Sequence, residues 1–247
     1  MNQKTRTALI TGSGRNIGRA CAQSLARQGF NIIVNGSSNR ENCEEVATEV
    51  RHMGVEAHVI MADVGRKDSV KELADSALQE YGGVDVLINN AAIRPNAGFL
   101  EISEEDWERV MNVNYKSAFW LARECLPGMV ENNWGRIINF SGMNAMAGYA
   151  GKPHVTTSKH AAWGMTKALA KEFGPLGITT NIISPGTIVG EVKTKAQKGN
   201  LQALQSNTPS DRLGHPSDIA ALVSLLVSDE GGFINGQNLQ PNGGVVC

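Results

Sequence analysis

The chain has 247 residues, 23 Lys+Arg against 24 Asp+Glu, a net charge of −1 and 27 glycines. With no basic excess and no Lys/Arg run, nucleic-acid binding lacks an electrostatic basis, and no run of eighteen apolar residues reads as a membrane span. Glycine at about 11%, against a usual ~7%, has no collagen period and marks tight turns or close approach of backbone to a ligand.

A length near 250 residues suits one α/β domain over 1–247 that buries about 70–75% of its unfolded surface. The first strand is expected over 7–11. It runs into Thr11-Gly12-Ser13-Gly14-Arg15-Asn16-Ile17-Gly18 and a helix over 17–28. Glycines at a strand-to-helix turn admit a pyrophosphate to the backbone, and the new helix N-terminus offers N–H donors. No G-x-x-x-x-G-K-[ST] occurs, which excludes a P-loop. The second strand, over 31–35, ends in Asn35-Gly36-Ser37-Ser38-Asn39-Arg40, with no acid until Glu41. A ribose-binding acid is expected at such a strand end. Arg15, Ser37 and Arg40 suit a 2′-phosphate instead, so NADP(H) is expected over NAD(H).

A helix over 40–53, a strand over 56–61, a helix over 67–81 and a strand over 84–89 follow. Then come a long helix over 104–130, a strand over 136–141, a helix over 154–173, a strand over 179–184, a helix over 217–228 and a strand over 237–240. Strands alternating with helices give βαβ units and a doubly wound parallel sheet of seven strands with helices on both faces. The polar, weakly periodic stretch over 186–213 is expected to be an irregular substrate loop. Residues 1–6 carry no apolar leader, and Cys21, Cys43, Cys125 and Cys247 form no C-x-x-C pair. A cytoplasmic protein with reduced thiols is expected. The histidines at 52, 58, 154, 160 and 215 have no metal-ligand spacing, so no metal is expected.

The sequence resembles the short-chain dehydrogenase/reductases, Rossmann-type enzymes related to 3-oxoacyl-ACP reductases, along essentially its whole length. The residues from Thr11 to Gly18 resemble the family's TGxxxGxG turn, with Asn16 at the middle glycine. Asp63-Val64 resembles the pair that holds adenine, and Asn89-Asn90-Ala91-Ala92 the NNAG strand end beside the ribose. Asn114 matches the catalytic-site asparagine, and Ser184-Pro185-Gly186 the turn bordering the nicotinamide. Arg212-Leu213-Gly214-His215-Pro216 and Gly236-Gln237 resemble the C-terminal pattern. The resemblance implies hydride transfer at a carbonyl, with a tyrosine as acid–base group, a lysine four residues later and a serine thirteen before.

The catalytic set departs from that pattern. Lys159, in Thr157-Ser158-Lys159-His160-Ala161, matches the lysine. Four residues before it stands Val155, and thirteen before that stands Gly142, beside Ser141. No Tyr-x-x-x-Lys occurs in the chain. Gly190 takes the place of a threonine that contacts the carboxamide. Valine and glycine move no protons, and groups that act as a unit lose rate together. His154 and Tyr149 are the candidates for the displaced acid. Asn144 and Gly142 border the substrate, and Arg94 and Lys152 form a cationic mouth suited to a carboxylate or phosphate. Three readings stand. One is an NADP(H)-dependent oxidoreductase with an atypical site, acting on a small carbonyl, alcohol or enoyl compound. The second is a lyase, isomerase or hydrolase on the same scaffold. The third is a non-catalytic cofactor-binding partner subunit. Trp107, Phe119, Trp120, Trp163 and Phe173 lie on helices that pair across a two-fold in the family, so a homodimer or homotetramer is expected.

Overall fold

The computed structural model describes residues 5–190 and 195–247. Among them, seven strands form one sheet: β1 (Thr7–Ile10), β2 (Asn31–Gly36), β3 (Ala57–Met61), β4 (Val86–Asn89), β5 (Gly135–Phe140), β6 (Ile178–Ile183) and β7 (Asn238–Leu239). Their order is β3-β2-β1-β4-β5-β6-β7 and every pairing is parallel. The helices are α1 (Asn16–Ala26), α2 (Arg40–Arg51), α3 (Lys67–Tyr81), α4 (Glu104–Met111), α5 (Ser117–Glu131), α6 (Met143–Ala147), α7 (Pro153–Phe173), α8 (Lys195–Ser206) and α9 (Pro216–Val227). The doubly wound parallel sheet read from the sequence is the fold observed.

The two faces follow from strand periodicity, because alternate residues point to opposite sides. Ala8 and Ile10 of β1 join Cys21 of α1, Val46 of α2 and Val223 of α9 in one core. Leu9, between them, joins Leu73 of α3 and Leu121 and Met129 of α5 in the other. Both faces of the sheet are therefore covered, which is why its strands read as continuous apolar runs. No helix among the described residues is long and apolar enough to cross a membrane.

Local departures from the sequence reading have physical causes. The expected helix over 104–130 is broken by a π-helical turn, Asn112–Lys116. Ser117 Oγ donates back to Val113 O at 2.7 Å within it. The stretch 186–213, expected to be irregular, contains α8. Its apolar residues Ala196, Leu201, Ala203 and Leu204 make too short a stripe to show as periodicity. Residues 191–194 of that stretch lie outside the described residues. The last strand spans two residues rather than four, because only Asn238 and Leu239 pair with β6.

A buried polar chain ties α7 to the sheet. Asn89 Nδ2 donates to Asn139 Oδ1 at 2.9 Å, and Asn139 Nδ2 donates to Thr166 Oγ1 at 2.9 Å. Thr166 Oγ1 in turn donates to Ala162 O at 2.8 Å. Asn139 and Thr166 are buried to about 1% exposure or less. Removing the middle link strands two buried partners. Asn139→Ala is therefore expected to lower unfolding free energy by about 2 kcal/mol, read from urea unfolding curves.

Candidate functional site

The order of strands reverses between β1 and β4, and a crevice opens there at their carboxyl ends. Asn90 closes its floor. Its side-chain amide donates to Thr11 O at 2.9 Å and Gly12 O at 3.0 Å. Thr11 Oγ1 accepts from the backbone N–H of Asn90 and Ala91, both at 3.0 Å. Gly12 adopts φ +63°. A Cβ on Gly18 would lie 2.5 Å from Gly12 O and 2.7 Å from Ser13 Cα. The turn therefore packs against the first turn of α1 with no room for a side chain. Asn16 takes φ +51° where the resemblance calls for glycine. Asparagine is among the few L-residues that accept this region, so the turn survives the substitution.

Two adjoining cavities lie over this floor. The first, about 530 Å³, is lined by Gly12, Arg15, Asn16, Ile17, Gly18, Ser37, Asp63, Val64, Asn90 and Ala91 among others. Ten expected cofactor residues thus come together from β1, β2, β3 and β4. The glycine turn, the α1 N-terminus and the exposed Arg15, Ser37 and Ser38 make a cradle that fits a dinucleotide with its phosphates. Asp63 accepts from Gly65 N at 3.0 Å and pairs with Arg109 at 3.0 Å.

Ser13 sits elsewhere. It is fully buried, and its Oγ accepts from Asn35 N at 3.0 Å, joining the turn to β2 rather than facing the cavity. Arg40 points away as well, toward Glu44 at 3.2 Å. Sequence reading missed Asn35, whose Nδ2 donates to Ile60 O at 3.0 Å and Ala62 O at 3.2 Å, fixing β2 against the chain leaving β3. It also missed Asn42 and Cys43, which line the cavity from α2. No motif carries any of the three.

The second cavity, about 340 Å³, shares Asn16, Ile17, Asn90 and Arg94 with the first. Gly142, Asn144, Tyr149, Lys152, Lys159, Pro185 and Gly186 also line it. Val155, Ser141 and Thr187 complete its wall. Among the described residues no Asp or Glu lines it, while Arg94, Lys152 and Lys159 bring three cationic side chains to its wall. Lys159 is 3% exposed and its Nζ donates to Phe140 O at 2.7 Å. Burial, and then the nearby Arg94 charge, hold its pKa down to about 7. Tyr149 is half exposed, with the Lys152 ammonium 5.2 Å from its ring centroid.

Two expected catalytic residues line neither cavity. Asn114 is buried in the π-helical turn. Its Oδ1 accepts from Ile93 N at 2.9 Å, and its Nδ2 donates to Ile93 O at 3.0 Å and Ser158 Oγ at 3.2 Å. It locks the segment after β4 to α7. His154, the expected replacement acid, turns away from the cavity. It is 1% exposed and stacks on Trp107 of α4, with ring centroids 6.5 Å apart. Burial lowers its pKa, so the ring stays neutral at pH 7. On a helix, residues 154 and 155 point about 100° apart, so only Val155 faces the cavity.

The chain matches, over residues 12–246, a family model described as enoyl-(acyl carrier protein) reductase. It is 34% identical over 240 residues to the 3-oxoacyl-[acyl-carrier-protein] reductase FabG of Staphylococcus epidermidis, across 97% of this chain and 98% of that protein. The acetoacetyl-CoA reductase of Cupriavidus necator is similar to the same degree and extent. The FabG of Aquifex aeolicus is 33% identical over 241 residues, across 97% of both chains. A family match over nearly the whole chain, and relatives at one-third identity from end to end, join the reversed strand order and the glycine turn in one conclusion: the chain belongs to the short-chain dehydrogenase/reductase family of oxidoreductases.

Proposed function

We propose that this protein is an NADP(H)-dependent oxidoreductase with an atypical active site, acting on a small carbonyl, alcohol or enoyl substrate that carries an acidic group. The observation that carries the reading is the continuity of the two cavities through Asn16, Ile17, Asn90 and Arg94. A dinucleotide in the first would extend its reactive end into the second. Gly12, Gly18 and the α1 N-terminus would hold the pyrophosphate. Asp63 and Val64 would border adenine. Asn90, Ala91 and Lys159 would hold the nicotinamide ribose, with Pro185 and Gly186 along the ring. The nicotinamide supplies a hydride when bound. Arg94 and Lys152, with no carboxylate among the described residues of the cavity, would orient an anionic substrate, with Asn144 and the open edge at Gly142 beside it.

Gly142 and Val155 favour a second reading, in which the scaffold carries no net redox chemistry and serves as another enzyme or as a cofactor-binding partner. One assay separates the two. Incubation with NADPH and a panel of 2-oxo, 3-oxo and enoyl acids is expected to consume cofactor absorbance with at least one of them. Binding of NADPH with no consumption by any member overturns the oxidoreductase reading.

The preference for the phosphorylated cofactor rests on the exposed Arg15 beside Ser37 and Ser38, with no acid at the end of β2. Arg15→Ala is expected to weaken NADPH about 10- to 100-fold and to leave NADH within about twofold, read by cofactor-fluorescence titration. Equal losses for both would count against the assignment.

The same reading makes 1–247 one working unit in a homodimer or homotetramer. The buried thiols Cys21, Cys43 and Cys125 support a reducing, cytoplasmic setting. Phe119 on α5 is 39% exposed; of the other aromatic residues expected to pair, Trp120 is on α5, Trp163 and Phe173 are on α7, and Trp107 is on α4. Light scattering is expected to give two or four times the 26.4 kDa chain mass; a clean monomer overturns the assembly.

A further inference from the structure

Lys159 and Val155 lie four residues apart on α7 and share the helix face that lines the second cavity. In the pattern the chain resembles, the residue at 155 is a phenol and the lysine assists it. Here no phenol stands on that helix face. The valine side chain ends at its methyl groups, and the lysine stands one turn further along the same wall. Its ammonium carries three N–H groups, and Phe140 O takes one of them.

The other groups around it do not fill the vacancy. Arg94, on the segment after β4, keeps its proton at any working pH. Tyr149, before α7, is half exposed and lies against Lys152. Ser141 and Thr187, from the ends of β5 and β6, are hydroxyls that hold their protons far above neutrality. Among the described residues no carboxylate lines the cavity.

We propose that Lys159 is itself the proton donor to the substrate oxygen in reduction, and the acceptor in oxidation, which rests on the oxidoreductase reading above. As the substrate carbonyl carbon receives the hydride, the C=O π pair moves onto oxygen. An O–H bond forms there as an N–H bond of Lys159 breaks, and that bonding pair remains on Nζ as a neutral amine. A solvent proton restores the ammonium. With its pKa near 7, both forms are populated at neutral pH, as an acid–base group requires.

Two measurements test this. The first needs no cofactor. A lysine whose folded pKa lies below its unfolded one takes up a proton on unfolding between about pH 7 and 10.5, so it makes stability rise with pH across that window. Urea unfolding of the cofactor-free protein and of Lys159→Met, from pH 6 to 10, is expected to show the parent gaining on the variant as pH rises. Parallel curves overturn the proposal.

The second measurement follows NADPH consumption with the carbonyl acids above. Lys159→Ala is expected to lose about 10²- to 10⁴-fold in kcat at saturating NADPH. Added ethylamine or trifluoroethylamine is expected to restore part of it, with rates that track amine basicity. A variant within tenfold of the parent, or one that no amine rescues, overturns the proton-transfer role. So does Tyr149→Phe losing what Lys159→Ala keeps. A parent silent on every acid overturns the redox reading and this role together. An active parent beside an active Lys159→Ala overturns this role alone.

Discussion

The join between the carboxyl ends of β1 and β4 is the constraint on which the rest of the site depends. Parallel strands meet there with their connections leaving in opposite directions, so the crevice is a product of topology. Topology alone would leave the carbonyls of Thr11 and Gly12 splayed. The Asn90 amide takes both, at 2.9 and 3.0 Å, and the Thr11 hydroxyl returns the favour to the Asn90 and Ala91 N–H groups. Four bonds to one asparagine and one threonine thus fix the turn on which a pyrophosphate would rest. Gly18 then seals it from the α1 side, since any side chain there would meet Gly12 O and Ser13 Cα.

A second set of bonds transmits that rigidity to the far cavity. Asn89, the neighbour of Asn90, reaches through Asn139 to Thr166 on α7. Asn114 reaches from the π-helical turn to Ile93 on one side and Ser158 on the other. Lys159 follows Ser158 on α7, lines the cavity and donates to Phe140 O. The lysine is therefore fixed from β4, β5 and the α4–α5 junction together. Burying its charge near Arg94 costs free energy, and among the described residues no carboxylate lines the cavity to offset it. A bound anion would. The same arrangement that depresses the lysine pKa makes the cavity attractive to an acid.

The sheet was legible because its physics is local. Runs such as Val86-Leu87-Ile88 have few alternatives to a strand covered on both faces, and Gly12 and Gly18 punctuate the turn at the position a nucleotide crevice needs. The π-helical turn was not legible, because it alters backbone hydrogen bonding over only five residues, too few to show in the apolar spacing that marks a helix. Its effect is large all the same: it carries Asn114, which sequence placed among the catalytic groups, into a bracing position between two backbone segments. His154 failed for another reason. Adjacency in sequence on a helix means a turn of about 100°, so the neighbour of the missing tyrosine faces Trp107 instead of the cavity. Four residues, not one, was the spacing to weigh.

The same geometry decides what the missing hydroxyls signify. Gly142 has an extended backbone, φ 172°, and a Cβ built there would meet nothing within 4 Å. The fold does not require glycine at 142 as it does at 18. Val155 is buried, 7% exposed, and lines the wall of the cavity of about 340 Å³. Both residues line the cavity, and neither brings it a hydroxyl. What remains on that wall is a lysine held rigidly, nearly unexposed and short of counter-charge. On the proposed reading, a crevice that fits a dinucleotide and feeds such a wall would keep the means of hydride transfer while the proton comes from a different atom.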